Sequence, residues 1–428
     1  MSISEGNKRR VAILAGKRIP FQRSFGAYRG ISATELMQLS LDALVKENNL
    51  TGKELGEVAL GAVTKRAAEW NLARNVVVNS PLHNNTPGIT LSRACGTSLD
   101  AAIEIANKIS MGQIEAGIAG GTDTNSDPPI EFQSSFAQKL LGIQAAKTAG
   151  QRIGAMLKIG LSDLKPNVPA VVEPATGMSM GQSCEVMVKD WKVTREEQDE
   201  LAYRSHQNAA KAYEEGFYKD QVVEFQGKDR DGLLRPDTSM EKLAKLRPAF
   251  DRSENGTLTA GNSTALTDGS SCVLLASEDW AKENGFEPIA YLEFVQNAAV
   301  DFVKAEGLLM APAYAVSKML KRANLSLQDF DFYEIHEAFA GQVMCTLKSW
   351  ESEDFCKTRL GSDKALGSID RSKLNVKGSS LALGHPFAAT GTRILHTAAK
   401  LLSEKTSGRV LISICTAGGM GTTAIVSK

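Results

Sequence analysis

Four short segments hold residue types that can do chemistry together. "SRACGTSLDAA" (92–102) places Cys95 between an arginine and a glycine, where a helix is expected to begin. There the unpaired N–H groups and the positive end of the helix dipole favour a thiolate over a thiol. "LALGHPFAATG" (381–391) places His385 between Gly384 and Pro386, in a rigid turn ahead of another helix. An imidazole held opposite a thiol is a suitable general base. "CTAGGMG" (415–421) sets Cys415 at the end of an apolar run and before a glycine turn, whose backbone N–H groups can serve as an oxyanion hole. "IHEAFAG" (335–341) brings His336 and Glu337 off the end of another such run. Taken alone, each has a plainer alternative. A free cysteine is usually a small buried hydrophobe, and a histidine beside proline can serve only its turn.

Two other chemistries are set aside on spacing. A zinc HExxH site needs histidine at 340, where the chain has Ala340. A P-loop needs Lys-Ser/Thr after the glycine turn, and none follows. No metal is expected. The six cysteines are Cys95, Cys184, Cys272, Cys345, Cys356 and Cys415. They are scattered, without a CxxC pair, which speaks against a disulfide framework.

The elements that must position these residues are short apolar runs alternating with helical patterns. Strands are expected at 11–16, 57–63, 116–121, 271–277, 289–295, 330–335 and 409–415. Between the first two, residues 32–49 have helical spacing and open on Ser32 and Glu35, the spacing of a capping box. Continuous apolar strands alternating with helices indicate an α/β chain whose sheet is covered on both faces. In such sheets functional groups collect at the carboxyl ends of strands and the helix N-termini that follow.

The chain also repeats itself. "ENNLTGKELGEVALGAV" (47–63) resembles "RANLSLQDFDFYEIHEA" (322–338). "ACGTSLDAAIEIANKI" (94–109) resembles "ATGTRILHTAAKLL" (389–402), and Gly120–Gly121 then line up with Gly418–Gly419. The separation widens along the chain, so the second copy is expected to carry an insertion. This alignment pairs Cys95 with about Thr390 and predicts two helix N-termini facing each other across a pseudo-twofold axis. Residues from about 127 to 255 belong to neither copy and read as an insertion. It holds proline-rich turns ("NSDPPI", "LKPNVPA", "VEPATG"), a polar helix over 194–216 with a Thr194/Glu197 capping box, and an apolar, basic stretch at 138–165. That stretch suits an anionic partner, a membrane surface or a CoA phosphate, or is simply a solvated helix face.

Bulk composition fits this picture. Of 428 residues, 49 are Lys or Arg and 49 Asp or Glu, so no strong phosphate-seeking field marks a nucleic-acid binder. The opening "MSISEGNKRR" has no apolar core of a secretory signal. No run is long enough for a transmembrane helix. A cytoplasmic protein is expected.

With these residues in view, the chain resembles the thiolases over essentially its whole length. "RACGTS", "TAGNSTALTDG" (259–269), "HEAFA", "GHPFAATG" and "CTAGGMG" occur in that family's order. The resemblance implies an α/β thiolase fold: two homologous βαβαβαββ halves forming a five-layered αβαβα core, with an inserted loop domain. The halves would span 8–282, interrupted at about 127–255, and 283–428. It implies cleavage of 3-ketoacyl-CoA by CoA in fatty-acid β-oxidation. Cys95 would be the acylated nucleophile and His385 its base, also donating to the thioester oxygen of the departing acetyl-CoA. Cys415 would be the second acid/base. His336 would hold a water or donate directly in the oxyanion hole for the enolate. Backbone N–H groups of Cys95 and of the 415–419 turn would hold the acyl-enzyme oxyanion. Ala260, Thr264, Met180 and Phe339 would line the CoA or substrate site. CoA enters as co-substrate, with no prosthetic group.

Most thiolases have asparagine at the position of His336. Histidine there resembles the thiolase subunit of β-oxidation multienzyme complexes. A homodimer is implied, and an α2β2 assembly with an enoyl-CoA hydratase/3-hydroxyacyl-CoA dehydrogenase subunit, with peripheral membrane contact. Two positions depart from the family pattern: Ala417 replaces a glycine, and Thr264 stands where many members have serine. The rival readings are an acetyl-CoA C-acetyltransferase handling acetoacetyl-CoA, a carrier-protein ketosynthase, and a thiolase-like CoA or lipid carrier without catalysis.

Overall fold

The computed structural model describes residues 9–167 and 171–428. Residue 8, the expected start of the first half, and the last residues of "LKPNVPA" lie outside them. The expected strands form at Val11–Arg18, Glu57–Gly61, Ala116–Asp123, Thr267–Ser277, Ala290–Ala299, Phe332–Ile335 and Arg409–Thr416. Gly88–Leu91 and Met420–Ser427 join them. The chain crosses the sheet in two mirrored runs. From one edge the order is 88–91, 57–61, 116–123, 267–277, 11–18; then 290–299, 420–427, 409–416 and 332–335. The runs meet where Val11–Ile13 pair antiparallel with Ala290–Leu292. Tyr333 makes a parallel bridge to Leu374 where the first run has its outermost strand.

Side-chain alternation along the strands divides the core into layers. Leu14, Leu60, Ile118 and Leu274 pack into one cluster with the helix Ala33–Glu47. Their neighbours Ile13, Ala59, Ala119 and Val273 face the other way, into a cluster shared with Ile412, Ile414, Ala424 and Val426 of the second run. Leu411, Cys415 and Ile425 point outward again, against the helices Ala311–Ala323 and Ala340–Glu351. The central cluster also holds Leu99, Ile103 and Ile105 of the helix Thr97–Ser110 and Ile394, Leu395 and Ala398 of the helix Thr390–Ser403. Two helices lie between the two runs of the sheet, whose other faces are covered by helices: the five-layered αβαβα core of a thiolase fold.

The repeat is visible in backbone detail. Both "Asn-Leu" segments end a helix the same way: Asn49 and Asn324 take left-handed φ values of 55° and 54°. Leu50 N–H then reaches back to the Val45 carbonyl (2.9 Å) and Leu325 N–H to that of Leu320 (3.1 Å). Further along, the register differs from the sequence alignment. Each buried helix is preceded by one 3-10 turn, Ala94–Gly96 and Phe387–Ala389, each opening on a left-handed residue, Ala94 (φ 43°) or Phe387 (φ 23°). Aligned on these turns, Cys95 stands opposite Ala388 rather than Thr390. Gly120 and Gly121 lie inside a strand, so their counterparts are Ser413 and Ile414, not the turn glycines 418 and 419. The extra length of the second copy lies between Ile335 and Phe387, which holds the helices Ala340–Glu351 and Glu353–Thr358. Short Ala, Gly and Thr motifs fit several registers, and the helix lengths choose among them.

Residues 127–255 contribute the helices Ser134–Ala145, Ala149–Met156, Met180–Asp190, Arg195–Glu214 and Met240–Ala244. Both expected capping boxes form, at Ser32/Glu35 and Thr194/Glu197. The segment is pinned by Asp231, which accepts two hydrogen bonds of 2.7 Å from the buried Arg18 at the end of the first strand. By contrast, no residue of the helix Ala149–Met156 is buried. Leu157 and Leu161, just past it, are 81% and 90% exposed.

Candidate active site

The Cys95 turn lies against the end of the strand Arg409–Thr416, which carries Cys415. A β-carbon on Gly96 would meet Thr416 Cγ2 at 2.8 Å and Thr422 Oγ1 at 2.9 Å, so only glycine permits this approach. His385 arrives from the other helix. Gly384, at φ 103°, makes the turn, and His385 N–H donates to Thr267 Oγ1 (2.8 Å). His336 extends the strand Phe332–Ile335, its N–H bonded to the Ser413 carbonyl (2.9 Å).

These elements bring Cys95, His336 and His385 together: Sγ and one nitrogen of each imidazole lie within 4.8 Å of one another. The two rings are 4.2 Å apart at their centroids, tilted by 52°. Each uses Nδ1 to hold itself. His336 Nδ1 meets Ser380 Oγ (2.8 Å), and His385 Nδ1 meets Thr390 Oγ1. Each Nε2 is buried and without a protein partner. Three segments far apart in sequence thus yield one thiol and two imidazoles whose Nε2 atoms have no protein partner.

Electrostatics refine the sequence expectation for Cys95. The residue is part-exposed, yet burial of its thiol pushes the pKa up to about 12. The Ala417 N–H, and that of Cys95 itself, pull the other way and do not prevail. Burial also lowers His385 to about 3 and His336 well below the usual histidine range, with Arg393 adding to both effects. Desolvation outweighs the helix terminus, so the substrate-free pair is a neutral thiol and a neutral imidazole. Cys415 is buried, its pKa raised first by desolvation and then by Cys95 nearby.

The turn after Cys415 accommodates its unusual residue. Gly418 and Gly419 take left-handed φ values of 78° and 66°, whereas Ala417 is not among the left-handed residues. Its Cβ therefore costs no strain. The N–H of Gly418 is taken by Glu173 from the insertion (3.0 Å), which leaves the Ala417 N–H, lying against the Cys95 thiol, as this turn's donor.

Of the residues expected at a CoA or substrate site, three gather around one aromatic pair. Phe339 packs edge-on to Phe250 at 5.7 Å. Met180 opens a helix whose next residue, Gly181, touches the Phe250 ring. Thr264 N–H bonds the Ala338 carbonyl (3.0 Å), and its hydroxyl donates to the Ser380 carbonyl (2.9 Å). Ala260 is exposed on the same loop.

Sequence reasoning missed several supports. Asp123, at the end of its strand, accepts from Val63 N–H, Thr64 and Ala388 N–H, tying both halves together beneath the site. Glu337 accepts from Ser205 Oγ (2.7 Å), Asn375 Nδ2 (2.6 Å) and Leu381 N–H (3.2 Å), so it anchors the loop that carries Ser380. An acid at or just past the end of an apolar run was a usable signal for both.

Comparison with known proteins agrees with this geometry. The family models described as "Thiolase, N-terminal domain" and "Thiolase, C-terminal domain" match residues 11–279 and 286–428. The chain is 40% identical to a 3-ketoacyl-CoA thiolase of Shewanella loihica over 97% of this chain and 96% of that protein. It is 39% identical to one of Shewanella baltica, over 99% and 98%. Among solved structures it is similar to the acetyl-CoA acetyltransferase of Bacillus anthracis (TM-score 0.80, 30% identity, 99% of this chain and 100% of that one). It is also similar to human mitochondrial 3-ketoacyl-CoA thiolase in complex with CoA (TM-score 0.80, 26% identity, 98% of each). A full-length match in sequence, in fold and in the order of its site segments shows that this chain belongs to the thiolase family.

Proposed function

We propose that the chain is an acyltransferase that cleaves 3-ketoacyl-CoA with CoA to acetyl-CoA and a shortened acyl-CoA, as a 3-ketoacyl-CoA thiolase of fatty-acid β-oxidation. The observation that carries this is the convergence of Cys95 with two inward-facing, unpartnered imidazole nitrogens, with the Cys415 thiol beside it. In this reading Cys95 Sγ attacks the C3 ketone and its proton passes to His385 Nε2. The N–H groups of Cys95 and Ala417 receive the oxyanion. The C2–C3 bond breaks, the enolate oxygen of acetyl-CoA is held by His336 and His385, and the Cys415 thiol protonates C2. CoA then gives its thiol proton to Cys415 and attacks the acyl-Cys95. The released Cys95 sulfur recovers the proton from His385, closing a ping-pong cycle without a metal or prosthetic group.

CoA would lie along Met180, Thr264, Phe339 and Ala260. A homodimer is supported by the outermost strand Gly88–Leu91, unpaired on its far side among the described residues, with Ile89 and Trp70 exposed nearby. The exposed apolar residues at 138–165, interleaved with Lys139, Lys147, Arg152, Lys158 and Lys165, support contact with a membrane surface or an anionic partner. The α2β2 assembly with a hydratase/dehydrogenase subunit and the cytoplasmic setting belong to the same reading. No helix among the described residues is long and apolar enough to cross a membrane. The decisive assay is thiolysis of 3-ketohexadecanoyl-CoA beside acetoacetyl-CoA. Higher kcat/KM on the long chain is expected. A strict preference for acetoacetyl-CoA assigns the chain to acetyl-CoA C-acetyltransferase chemistry instead, and no turnover of either with Cys95 intact makes it a carrier.

A further inference from the structure

Behind His336 lies a chain of three fully buried side chains. Arg393 Nη2 donates to Ser380 Oγ (2.7 Å), and Ser380 Oγ meets His336 Nδ1 (2.8 Å). A guanidinium has only hydrogens to give, so the serine oxygen is the acceptor on that side. Among the described residues, His336 Nδ1 is the only other partner of that oxygen. If Nδ1 carried the imidazole hydrogen, Ser380 Oγ would accept twice and its own O–H would be buried with no acceptor, an outcome folded proteins avoid. If Nδ1 is bare, Ser380 donates to it, and the serine hydroxyl is used both as acceptor from Arg393 and as donor to His336. The imidazole hydrogen then sits on Nε2, the buried nitrogen that faces Cys95 and His385.

We infer that Ser380, oriented by Arg393, fixes His336 as the Nε2–H tautomer, so that His336 enters the reaction as a hydrogen-bond donor and never as a base. This rests on the reading of His336 as an enolate-oxygen donor, and it names Ser380 and Arg393 as positioning residues for it. Arg393 is itself held by Ser379 Oγ (3.3 Å); burial lowers its pKa, and the Glu334 carboxyl is the strongest influence in the other direction. His385 differs. Its Nδ1 faces Thr390 Oγ1, a hydroxyl to which no guanidinium donates. The same tautomer removes the Nε2 lone pair that a cation would need from His336.

The test uses the full chain with ¹⁵N-imidazole-labelled histidine, the His336 signals being those lost in His336→Asn. In the wild type, Nε2 is expected to be protonated and Nδ1 bare; the reverse overturns the inference without any variant having to fold. In Ser380→Ala the preference should weaken or invert, and an unchanged tautomer overturns the role of Ser380. Cleavage of 3-ketoacyl-CoA by Ser380→Ala should fall about tenfold, and no further than the ~10²–10³ that loss of an oxyanion donor costs. In a His336→Asn background the same change should cost nothing more; equal losses in both backgrounds mean a structural effect and overturn it. If His336→Asn cleaves as fast as wild type while wild-type His336 shows Nε2–H, the tautomer stands and the donor reading falls.

Discussion

Gly391 lies directly on the backbone of Leu99: a β-carbon added to it would sit 2.2 Å from the Leu99 nitrogen. Beside this contact the Thr392 N–H donates to Ser98 Oγ (2.9 Å). The first turns of the two buried helices therefore touch backbone to backbone, and this sets how far the Cys95 turn lies from the His385 loop. Gly391→Ala should force the helices apart and destabilise the fold by about 1–3 kcal/mol, as overpacking does. Thiolysis should fall further than stability alone explains, because misplacing reacting groups by about an ångström can cost ~10² in rate. Denaturation midpoints and activity on the same preparations measure both. Wild-type values for each would mean that the contact sets nothing.

Cys95→Ser should lower thiolysis by orders of magnitude with the fold retained, since a hydroxyl is a far weaker nucleophile than a thiolate at similar volume. The pH behaviour of the wild type is as informative. With the thiol near 12 and His385 near 3, raising pH creates thiolate and lowering it does not create an ion pair. Iodoacetamide labelling of substrate-free Cys95 should climb steadily above neutrality, and bound acyl-CoA should suppress it. A rate already at its plateau at neutral pH would mean a preformed thiolate–imidazolium pair.

Glu334 gives a linkage test. It is completely buried, neither carboxyl oxygen has a partner, and desolvation raises its pKa to about 8 against the pull of Arg393. In the unfolded chain it titrates near the ordinary carboxylate value, 4.5. Folding therefore favours its protonated form, a contribution fully present below that value and lost as pH rises through about 8. Glu334→Gln should flatten the decline in stability between pH 5 and 8, read from denaturant midpoints. Parallel slopes in wild type and variant would place the titration elsewhere.

Much of this was legible in the sequence because local signals agreed with the global fold. The apolar runs became strands, both capping boxes formed, and the two Asn-Leu turns close their helices with the same left-handed residue. The four chemical segments were legible as candidates because two cysteines and two histidines recur at strand ends and glycine turns of one chain. What was hidden is what depends on depth. The helix start at Cys95 was visible, but the burial that overrides it was not. Ser380, just ahead of the His385 segment, and Arg393, in the helix after it, carried no signal of their own, and only packing places one hydroxyl between a guanidinium and an imidazole. The register of the second copy was hidden too, because Ala-Gly-Thr strings match each other at several offsets.

The two cysteines of the site can be separated experimentally. Cys95 lies in the turn ahead of one half's buried helix and Cys415 near the end of the other half's strand, so each can be altered without moving the other's element. In the proposed cycle only Cys95 bonds to the acyl group, and Cys415 moves a proton at C2. Cys415→Ala should still be acylated on Cys95 by a simple acyl-CoA and still exchange that group with free CoA, since neither step breaks a carbon–carbon bond. Cleavage of 3-ketoacyl-CoA should drop by the ~10²–10⁴ typical of a lost general acid, or more, because the enolate leaves unprotonated. The buried thiol touches no charged partner, so its removal leaves a small cavity and a modest stability loss rather than an unpaired charge. Intact-protein mass spectrometry of the adduct, beside a thiolysis assay on one preparation, reads both arms. Normal cleavage would remove Cys415 from the proton path. A folded variant that cannot be acylated would move it into the first half-reaction, beside His385.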